Sequence, residues 1–241
     1  MSLYHGTLLA SEDKTGKEIV ASVEARLWGN TVLGKYEMTI TTPYWKRTLK
    51  LQMWMRRPEK SFVRILSPAK EAGIGSLRIK SEMWNYLPKV ERVIKIPPSM
   101  MLQPWMGSDF SNDDLVKESS MINDYTHKVA GFENYKGTEV YRVISTPKPD
   151  AAVIWGSIVY LVRKSDLMPV RQEYIDERGK IIKVLSFSKI RKFGDRFLPS
   201  LWEMQPTQKP GNVTRIRVLS VVFDKPIKDS IFTLRNLRRR R

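Results

Sequence analysis

The chain has 241 residues, of which 41% are hydrophobic, and this composition supports a folded core and excludes disorder. Lys and Arg number 42 against 25 Asp and Glu, so the net charge of +17 predicts attraction to a polyanion, either nucleic acid or an anionic membrane. The absence of Cys excludes disulfides, thiolate metal sites, thiol catalysis and a lipidated Cys, and no apolar run reaches the roughly 20 residues that cross a bilayer.

The first predicted element is an amphipathic helix over residues 11–28. Ser11 is its candidate N-cap, and acidic residues follow in the first turn. Its apolar residues recur at helical spacing, at Ile19, Val20, Val23 and Leu27. Residues 1–10 are predicted to be a disordered start outside the folded part.

From Lys35 onward the apolar period becomes two, which predicts β-strands. One face of the first two strands carries Tyr36, Met38 and Ile40, then Trp45, Leu49, Leu51, Met53 and Met55. The alternation recurs as far as residue 222 in roughly ten strands, without the intervening helices of a parallel sheet. The sequence therefore predicts one mainly β (α+β) domain over residues 1–241. It ends in a short helix capped by Asp229 or Ser230 and a basic tail over 235–241.

Two segments interrupt the strands. Residues 97–118 are rich in Pro, Met and Trp, and Ser111 or Asn112 is placed to cap a short helix within them. The second segment starts at Ser145 and contains an apolar stretch over 151–154, which belongs against a core or over a cavity.

Methionine is common on the apolar strand faces and in segment 97–118. Its side chain is flexible and polarizable and suits surfaces that adapt to varied apolar ligands, although ordinary core filling is the competing interpretation. Because so apolar and proline-rich a loop must pack onto apolar surface, Met101, Trp105 and Met106 are predicted to form a lid.

The sequence offers little for catalysis. His5 and His127 are the only histidines, and neither stands in a spacing typical of a metal site or of a Ser, His and Asp triad. Asp109, Asp113 and Asp114 form the best carboxylate cluster. Acid/base work or binding of a hard cation is one interpretation, and helix capping is the favoured one. We therefore expect no catalytic residue, no metal site, no cofactor and no enzymatic activity.

Basic residues interleave with aromatic residues between positions 56 and 92. They are Arg56, Arg57, Lys60, Arg64, Arg78, Lys80, Lys89 and Arg92. Two interpretations stay open: a nucleic-acid platform, or a solvated strand face that is attracted to membranes. The second is favoured because no nucleic-acid-binding motif accompanies the charge.

Three blocks resemble the outer-membrane lipoprotein-sorting family of the LolA and LolB superfamily, including members encoded beside RND-type lipid exporters. The blocks are "FVRILSPAKEAGIGSLRI", "MWNYLPKVERVIKI" and "MGSDFSNDDL". The resemblance implies a curved antiparallel sheet, an unclosed barrel around helices and lids that shelter a hydrophobic cavity. It also implies a periplasmic location, with a signal peptide that this sequence does not include. The residues at family motif positions are Ser67, Pro68, Gly73, Gly75, Trp84, Tyr86, Leu87, Pro88, Arg92, Gly107, Ser108, Asp109 and Phe110.

The resemblance further implies a periplasmic carrier that binds lipoprotein acyl chains or other lipids and moves them toward the outer membrane. Its expected partners are acyl chains, an anionic membrane surface, and an RND-type exporter or outer-membrane acceptor. The predicted cavity wall is Met38, Ile40, Leu49, Leu51, Met53, Phe62, Trp84 and Tyr86, although a one-residue register error would turn each outward. Two alternatives remain open: an RseB-like sensor of lipid or lipoprotein acting through a protein partner, and a basic nucleic-acid-binding β protein.

Overall fold

The structure, a computed structural model, describes residues 14–117, 121–151 and 153–239, so the predicted start over 1–10 lies outside the described residues. Strands β1 to β13 are Thr31–Thr41, Lys46–Arg56, Lys60–Ser67, Gly75–Ile79, Glu82–Leu87, Arg92–Lys95, Tyr125–Tyr135, Thr138–Pro147, Ser157–Arg163, Pro169–Ile175, Ile181–Phe193, Arg196–Pro206 and Val213–Phe223. Helices α1 to α4 are Gly16–Trp28, Asn112–Lys117, Met121–Asp124 and Leu234–Leu237. Single 3-10 turns span Pro98–Met100, Trp105–Gly107 and Asp229–Ile231. Among the described helices, none is long and apolar enough to cross a membrane.

The thirteen described strands form one antiparallel sheet in the order β6-β5-β4-β3-β2-β1-β13-β12-β11-β10-β9-β8-β7. It consists of two meanders, β1 to β6 and β7 to β13, which join where β1 pairs with β13. Strands β6 and β7 occupy the two edges of the sheet and do not pair with each other. This confirms the predicted fold class, a curved antiparallel sheet that is not closed into a barrel.

The central strands of the first meander, β3 and β4, are buried on both faces. We call the face that carries Met38 and Met53 the inner face, and the opposite one the outer face. Inner side chains belong to the main core together with α1 and with parts of the crossover from β6 to β7. That crossover covers the inner face because it must connect the two edges of the sheet.

Helix α1 starts later than predicted. Thr15 is its N-cap instead of Ser11, which lies outside the described residues, and the Thr15 hydroxyl accepts from the Glu18 backbone N–H at 3.3 Å. The Glu18 carboxylate in turn accepts from the Thr15 backbone N–H at 2.8 Å, which completes a capping box. The predicted apolar stripe is confirmed, since Ile19, Val20, Val23 and Leu27 are buried in the main core.

The C-terminal segment, residues 225–239, packs on the outer face of the first meander. Its last helix is capped by Thr233 and not by Asp229 or Ser230, because the Thr233 hydroxyl accepts from the Asn236 backbone N–H at 3.1 Å. Leu237 is fully buried in this segment, so the tail predicted to be solvated from residue 235 is in part a packed element.

The prediction missed strand β7 and the start of β1. Strand β7 is an edge strand whose mostly exposed and half-buried residues lack clear apolar alternation. Strand β1 starts at Thr31, before the predicted change of period at Lys35, and runs through Gly34. Gly34 is required in the strand because a Cβ there would lie 2.5 Å from the Tyr36 ring.

Candidate functional site: a lidded apolar cavity

The inner face of the first meander carries an apolar cavity of about 70 Å³. It is lined by Trp28, Tyr36, Met38, Leu51, Met53, Met55, Ser61, Val63, Ser76, Leu77, Arg78, Met83, Trp105, Phe110, Leu115, Trp202 and Ile216. Since each water needs roughly 10–15 Å³, the cavity has room for only a few waters. The cavity is therefore narrow in this conformation, and a larger apolar guest requires its walls to move.

Methionines from three strands provide the adaptable part of the wall. Met38 lies on β1, Met53 and Met55 on β2, and Met83 on β5. Alternation along β2 points Met53 and Met55 to one face, and the pairing of Met53 with Val63 extends that face to β3. Because an unbranched thioether changes rotamer easily, this wall can repack around apolar ligands of different shape.

The cavity is covered by residues 96–115, which we call the lid. Trp105 is its buried anchor, and its indole N–H donates to the Ser76 hydroxyl at 2.9 Å. The next turn depends on Gly107, whose φ of +71° lies in the left-handed region. The Ser108 hydroxyl then donates to the Trp105 carbonyl at 2.7 Å and accepts from the Phe110 N–H at 3.2 Å. The Gly-Ser-Asp-Phe block thus builds the turn that holds Trp105 and Phe110 over the cavity.

Polar contacts fasten the lid to the rim of the sheet. Arg47 of β2 donates to the Met106 carbonyl and forms an ion pair with Glu71 at 3.1 Å. On the other side, the Asp109 carboxylate accepts from the Thr214 hydroxyl of β13 at 2.7 Å. Burial raises the pKa of the Asp109 carboxyl, although the hydrogen bond from Thr214 opposes this. These contacts hold the lid to β2 and β13, and the bond from Trp105 to Ser76 adds β4.

Of the predicted carboxylate cluster, Asp114 caps helix α2, whereas Asp109 bonds Thr214. The Ser111 hydroxyl accepts from the Asp114 N–H at 3.2 Å, while the Asp114 carboxylate accepts from the Ser111 N–H at 2.7 Å. Asp114 also pairs with buried Lys183, whose ammonium group lies 4.9 Å from the ring centre of Trp155. This supports the capping interpretation, and the loop containing Trp155 packs against the core as predicted.

A second, smaller cavity of about 40 Å³ adjoins the first. Trp28 and Trp202 line both cavities and meet edge to face, with ring centroids 5.3 Å apart. In the wall of the second cavity, Glu24 of α1 pairs with Arg57 at 2.7 Å. Burial raises the pKa of the Glu24 carboxyl to about 7, although the Arg57 charge opposes this. The pair ties α1 to the turn that follows β2.

The structure divides the predicted cavity residues into four groups. Met38, Leu51, Met53 and Trp105 line the cavity, whereas Ile40 and Leu49 are buried on the same face beyond it, and Met101 and Met106 pack on the core from the lid. Phe62, Trp84 and Tyr86 do not line it: they lie in a separate cluster on the outer face, with Leu77, Phe232 and Leu237. The predicted position of these three is corrected, because β3 and β5 are apolar on both faces. A ligand-binding role for the others stays a prediction.

Most motif residues outside the lid shape turns or close approaches. Gly73 has a φ of +89°, and a Cβ there would lie 3.4 Å from the Pro88 ring. Gly75 leaves room for the C-terminal segment, since a Cβ would lie 2.9 Å from Leu237 Cδ1. Ser67 and Pro68 form the end of β3 and the start of the following turn, and Leu87 pairs with Arg92 between β5 and β6.

Several cavity residues were not predicted. They are Trp28, Tyr36, Met55, Val63, Leu77, Met83, Phe110, Leu115, Trp202 and Ile216, with the polar Ser61, Ser76 and Arg78. Met55 shares the predicted face of Met53, so strand alternation alone could have found it. Trp28 and Trp202 meet only through the tertiary fold, and no local pattern identifies them.

A protein-family model described as "Uncharacterized protein" matches residues 57–239, which is more than half of the chain. The chain belongs to this family. No curated protein matches it.

Solved structures of similar fold cover nearly the whole chain. A DUF1329 family protein from Desulfovibrio piger has a TM-score of 0.84 at 22% identity, covering 92% of this chain and 97% of its own. A putative outer membrane lipoprotein-sorting protein domain from Vibrio parahaemolyticus has a TM-score of 0.81 at 22% identity, covering 93% and 98%. A LolA superfamily protein from Nitrosomonas europaea has a TM-score of 0.79 at 18% identity, covering 93% and 100%. The predicted resemblance is confirmed, and at these identities the likeness establishes the fold.

Proposed function

We propose that this protein is a periplasmic binding protein that carries acyl chains of lipoproteins or of other lipids toward the outer membrane, without catalysis. The observation that carries the proposal is the methionine-lined cavity on the inner face, which the lid covers. The fold shared with a lipoprotein-sorting domain and a LolA superfamily protein supports the same role.

Burial of the acyl chain supplies the affinity in this proposal. Each methylene moved from water into the cavity contributes about 0.8 kcal/mol before ordering costs are subtracted. The cavity of about 70 Å³ is too narrow for a long chain, so the lid must move and the methionine wall must repack. Loading therefore exchanges the burial of Trp105 and Phe110 for the burial of ligand, which keeps the net affinity moderate and the ligand releasable.

The proposal is tested by native mass spectrometry with lipid extraction on protein purified from a periplasmic fraction. Wild-type protein is expected to retain acylated species. Met53→Trp fills the cavity and is expected to lower retention by about tenfold or more, which corresponds to losing the burial of about two methylenes. A wild-type protein that emerges empty and takes up neither a fluorescent fatty acid nor a lipopeptide contradicts the proposal.

Phe62→Leu is the matched control. It alters a buried side chain on the outer face of the neighbouring strand, so it is expected to lower stability slightly and leave lipid retention unchanged. Carrier and sensor are then separated by cargo transfer. A carrier delivers labelled lipopeptide from donor to acceptor vesicles, whereas a sensor binds it without delivery.

A further inference from the structure

The turn between β1 and β2 exposes two aromatic side chains at the rim of the sheet. Tyr44 is 93% exposed and Trp45 is 45% exposed, and both lie at the tip of the hairpin. Large aromatic rings with a polar group at one end are the side chains that settle at the boundary between water and lipid. We call Tyr44 and Trp45 the aromatic tip.

The aromatic tip is held in a defined conformation. The Thr42 hydroxyl accepts from the backbone N–H of Tyr44 at 3.2 Å and from that of Trp45 at 3.1 Å. The Thr42 N–H donates to the Trp45 carbonyl at 2.9 Å, which closes the turn. Since these bonds use the backbone and Thr42, the two aromatic rings are exposed without being needed to build the hairpin.

The same rim carries an attachment of the lid. Arg47, whose guanidinium lies 5.5 Å from the Trp45 ring centre, is the residue that bonds the Met106 carbonyl of the lid. Across the next hairpin, Gly211 approaches Pro43 so closely that a Cβ there would lie 2.9 Å from the proline ring. The aromatic tip, the lid and the turn between β12 and β13 therefore form one continuous rim.

Basic residues surround the aromatic tip. Lys46 follows it directly, Lys209 lies in the turn between β12 and β13, and Lys70 lies in the turn after β3; all three are exposed. The nearby Glu71 is buried and paired with Arg47, so it contributes little negative charge to this surface. The lid adds apolar surface on the same side, because Leu102 is 58% exposed and lines a surface hollow with Lys209.

We propose that this rim docks onto an anionic phospholipid bilayer, with Tyr44 and Trp45 entering the interfacial region and Lys46, Lys70 and Lys209 contacting the headgroups. The inference rests on the proposed function, because docking here brings the lid against the membrane that exchanges the acyl chain. Aromatic insertion and attraction of lysines to lipid charge are separate contributions, and a bilayer supplies both. The contact weakens with salt, as a protein that must also leave the membrane requires.

The test is co-sedimentation of the full chain with vesicles of phosphatidylcholine, with or without phosphatidylglycerol, at low and high salt. Wild-type protein is expected to bind the anionic vesicles at low salt and to be released at high salt. The double variant Tyr44→Ser with Trp45→Ser is expected to lose about tenfold in partitioning. Lys46→Gln with Lys209→Gln is expected to lose about 25-fold at low salt only, since each lysine near the surface contributes about fivefold.

Matched controls lie at the far end of the same sheet. Phe197→Ser changes an aromatic side chain that is 52% exposed beside the β11–β12 turn, and Lys189→Gln with Lys192→Gln changes two exposed lysines there. Both controls are expected to bind vesicles as the wild type does. Equal losses from the control and rim variants, no loss from the rim variants, or wild-type binding that ignores phosphatidylglycerol each overturn the docking surface.

Fatty-acid uptake in solution separates this inference from the proposed function. Rim variants that bind a fluorescent fatty acid like the wild type but fail to sediment with vesicles support both the cavity and the rim. Rim variants that still sediment overturn the rim while the cavity stands. A wild type that takes up no fatty acid overturns the function, and with it the reason for docking.

Discussion

The two faces of strands β2 to β5 are both covered, but by elements of opposite character. On the inner face, methionines meet the lid around a cavity. On the outer face, Phe62, Trp84 and Tyr86 pack with Phe232 and Leu237 of the C-terminal segment. The same strands therefore support a wall that can repack on one side and a rigid aromatic layer on the other.

Polar bonds hold the C-terminal segment on the outer face of the sheet. On the outer face, Arg64 donates to the carbonyls of Arg239 at 2.6 Å and of Asn236 at 2.7 Å, at the end of the last helix. The gap of about 120 Å³ left there is lined in part by polar groups of Gln52, Arg64 and Asn236, which suit water. Both covers are thus held to the sheet by polar bonds, and the inner one closes over an apolar cavity.

The largest expected effect is on the outer face. Phe62→Ala removes a fully buried ring and is expected to lower the free energy of unfolding by about 3 to 5 kcal/mol. Urea unfolding measures this change. Fatty-acid affinity of the folded variant should stay at the wild-type value, and a lost affinity would show that the two faces are not independent.

The second-largest expected effect is on the pH dependence of the free energy of unfolding, and it comes from Glu24 of α1. Because its pKa rises from 4.5 to about 7 on folding, the folded protein binds this proton more tightly than the unfolded chain. The free energy of unfolding therefore falls as pH rises from about 4.5 to about 7, by about 3 kcal/mol from this group. Glu24→Gln removes this slope. Unfolding curves of both proteins at pH 5 and pH 8 measure the difference, and parallel pH profiles would contradict the assignment.

A smaller effect, on the local stability of the lid, is expected when its polar contacts with Arg47 are removed. Arg47→Gln loses the bond to the Met106 carbonyl and the ion pair with Glu71. Hydrogen exchange over residues 100–110 should become faster by about tenfold, because a charged hydrogen bond contributes roughly 1.5 kcal/mol or more. Exchange in β11 and β12 serves as the internal reference. A uniform rise across the sheet would mean that the lid is part of the global unit.

The smallest effect on stability is expected at Met53. Met53→Leu conserves volume and should change the free energy of unfolding by less than about 1.5 kcal/mol. The branched side chain repacks less freely, so binding across fatty acids of increasing length should become more selective. Titration with a series of chain lengths checks this, and an unchanged profile would show that methionine flexibility is not used.

Much of the architecture was predictable because it depends on local pattern. Alternating apolar residues in β1 and β2 placed Met38, Leu51 and Met53 on one face, and the helical spacing in α1 identified its buried stripe. The Gly-Ser-Asp-Phe block and Ser111 marked the turn and cap of the lid, since such bonds join residues close in the chain. Strand β7 was missed because an edge strand buries too little to show alternation.

The sequence by itself determined an antiparallel β protein with an apolar lid, because alternation, caps and turns are encoded within a few residues of each other. Only the tertiary structure decided which face holds the cavity. Strands β3 and β5 are apolar on both sides, so Phe62, Trp84 and Tyr86 could be assigned only once Leu237 was seen to cover them. The polar contacts that hold the lid and the packing of Trp28 on Trp202 could not be predicted either. They join residues that the sheet brings together from distant parts of the chain.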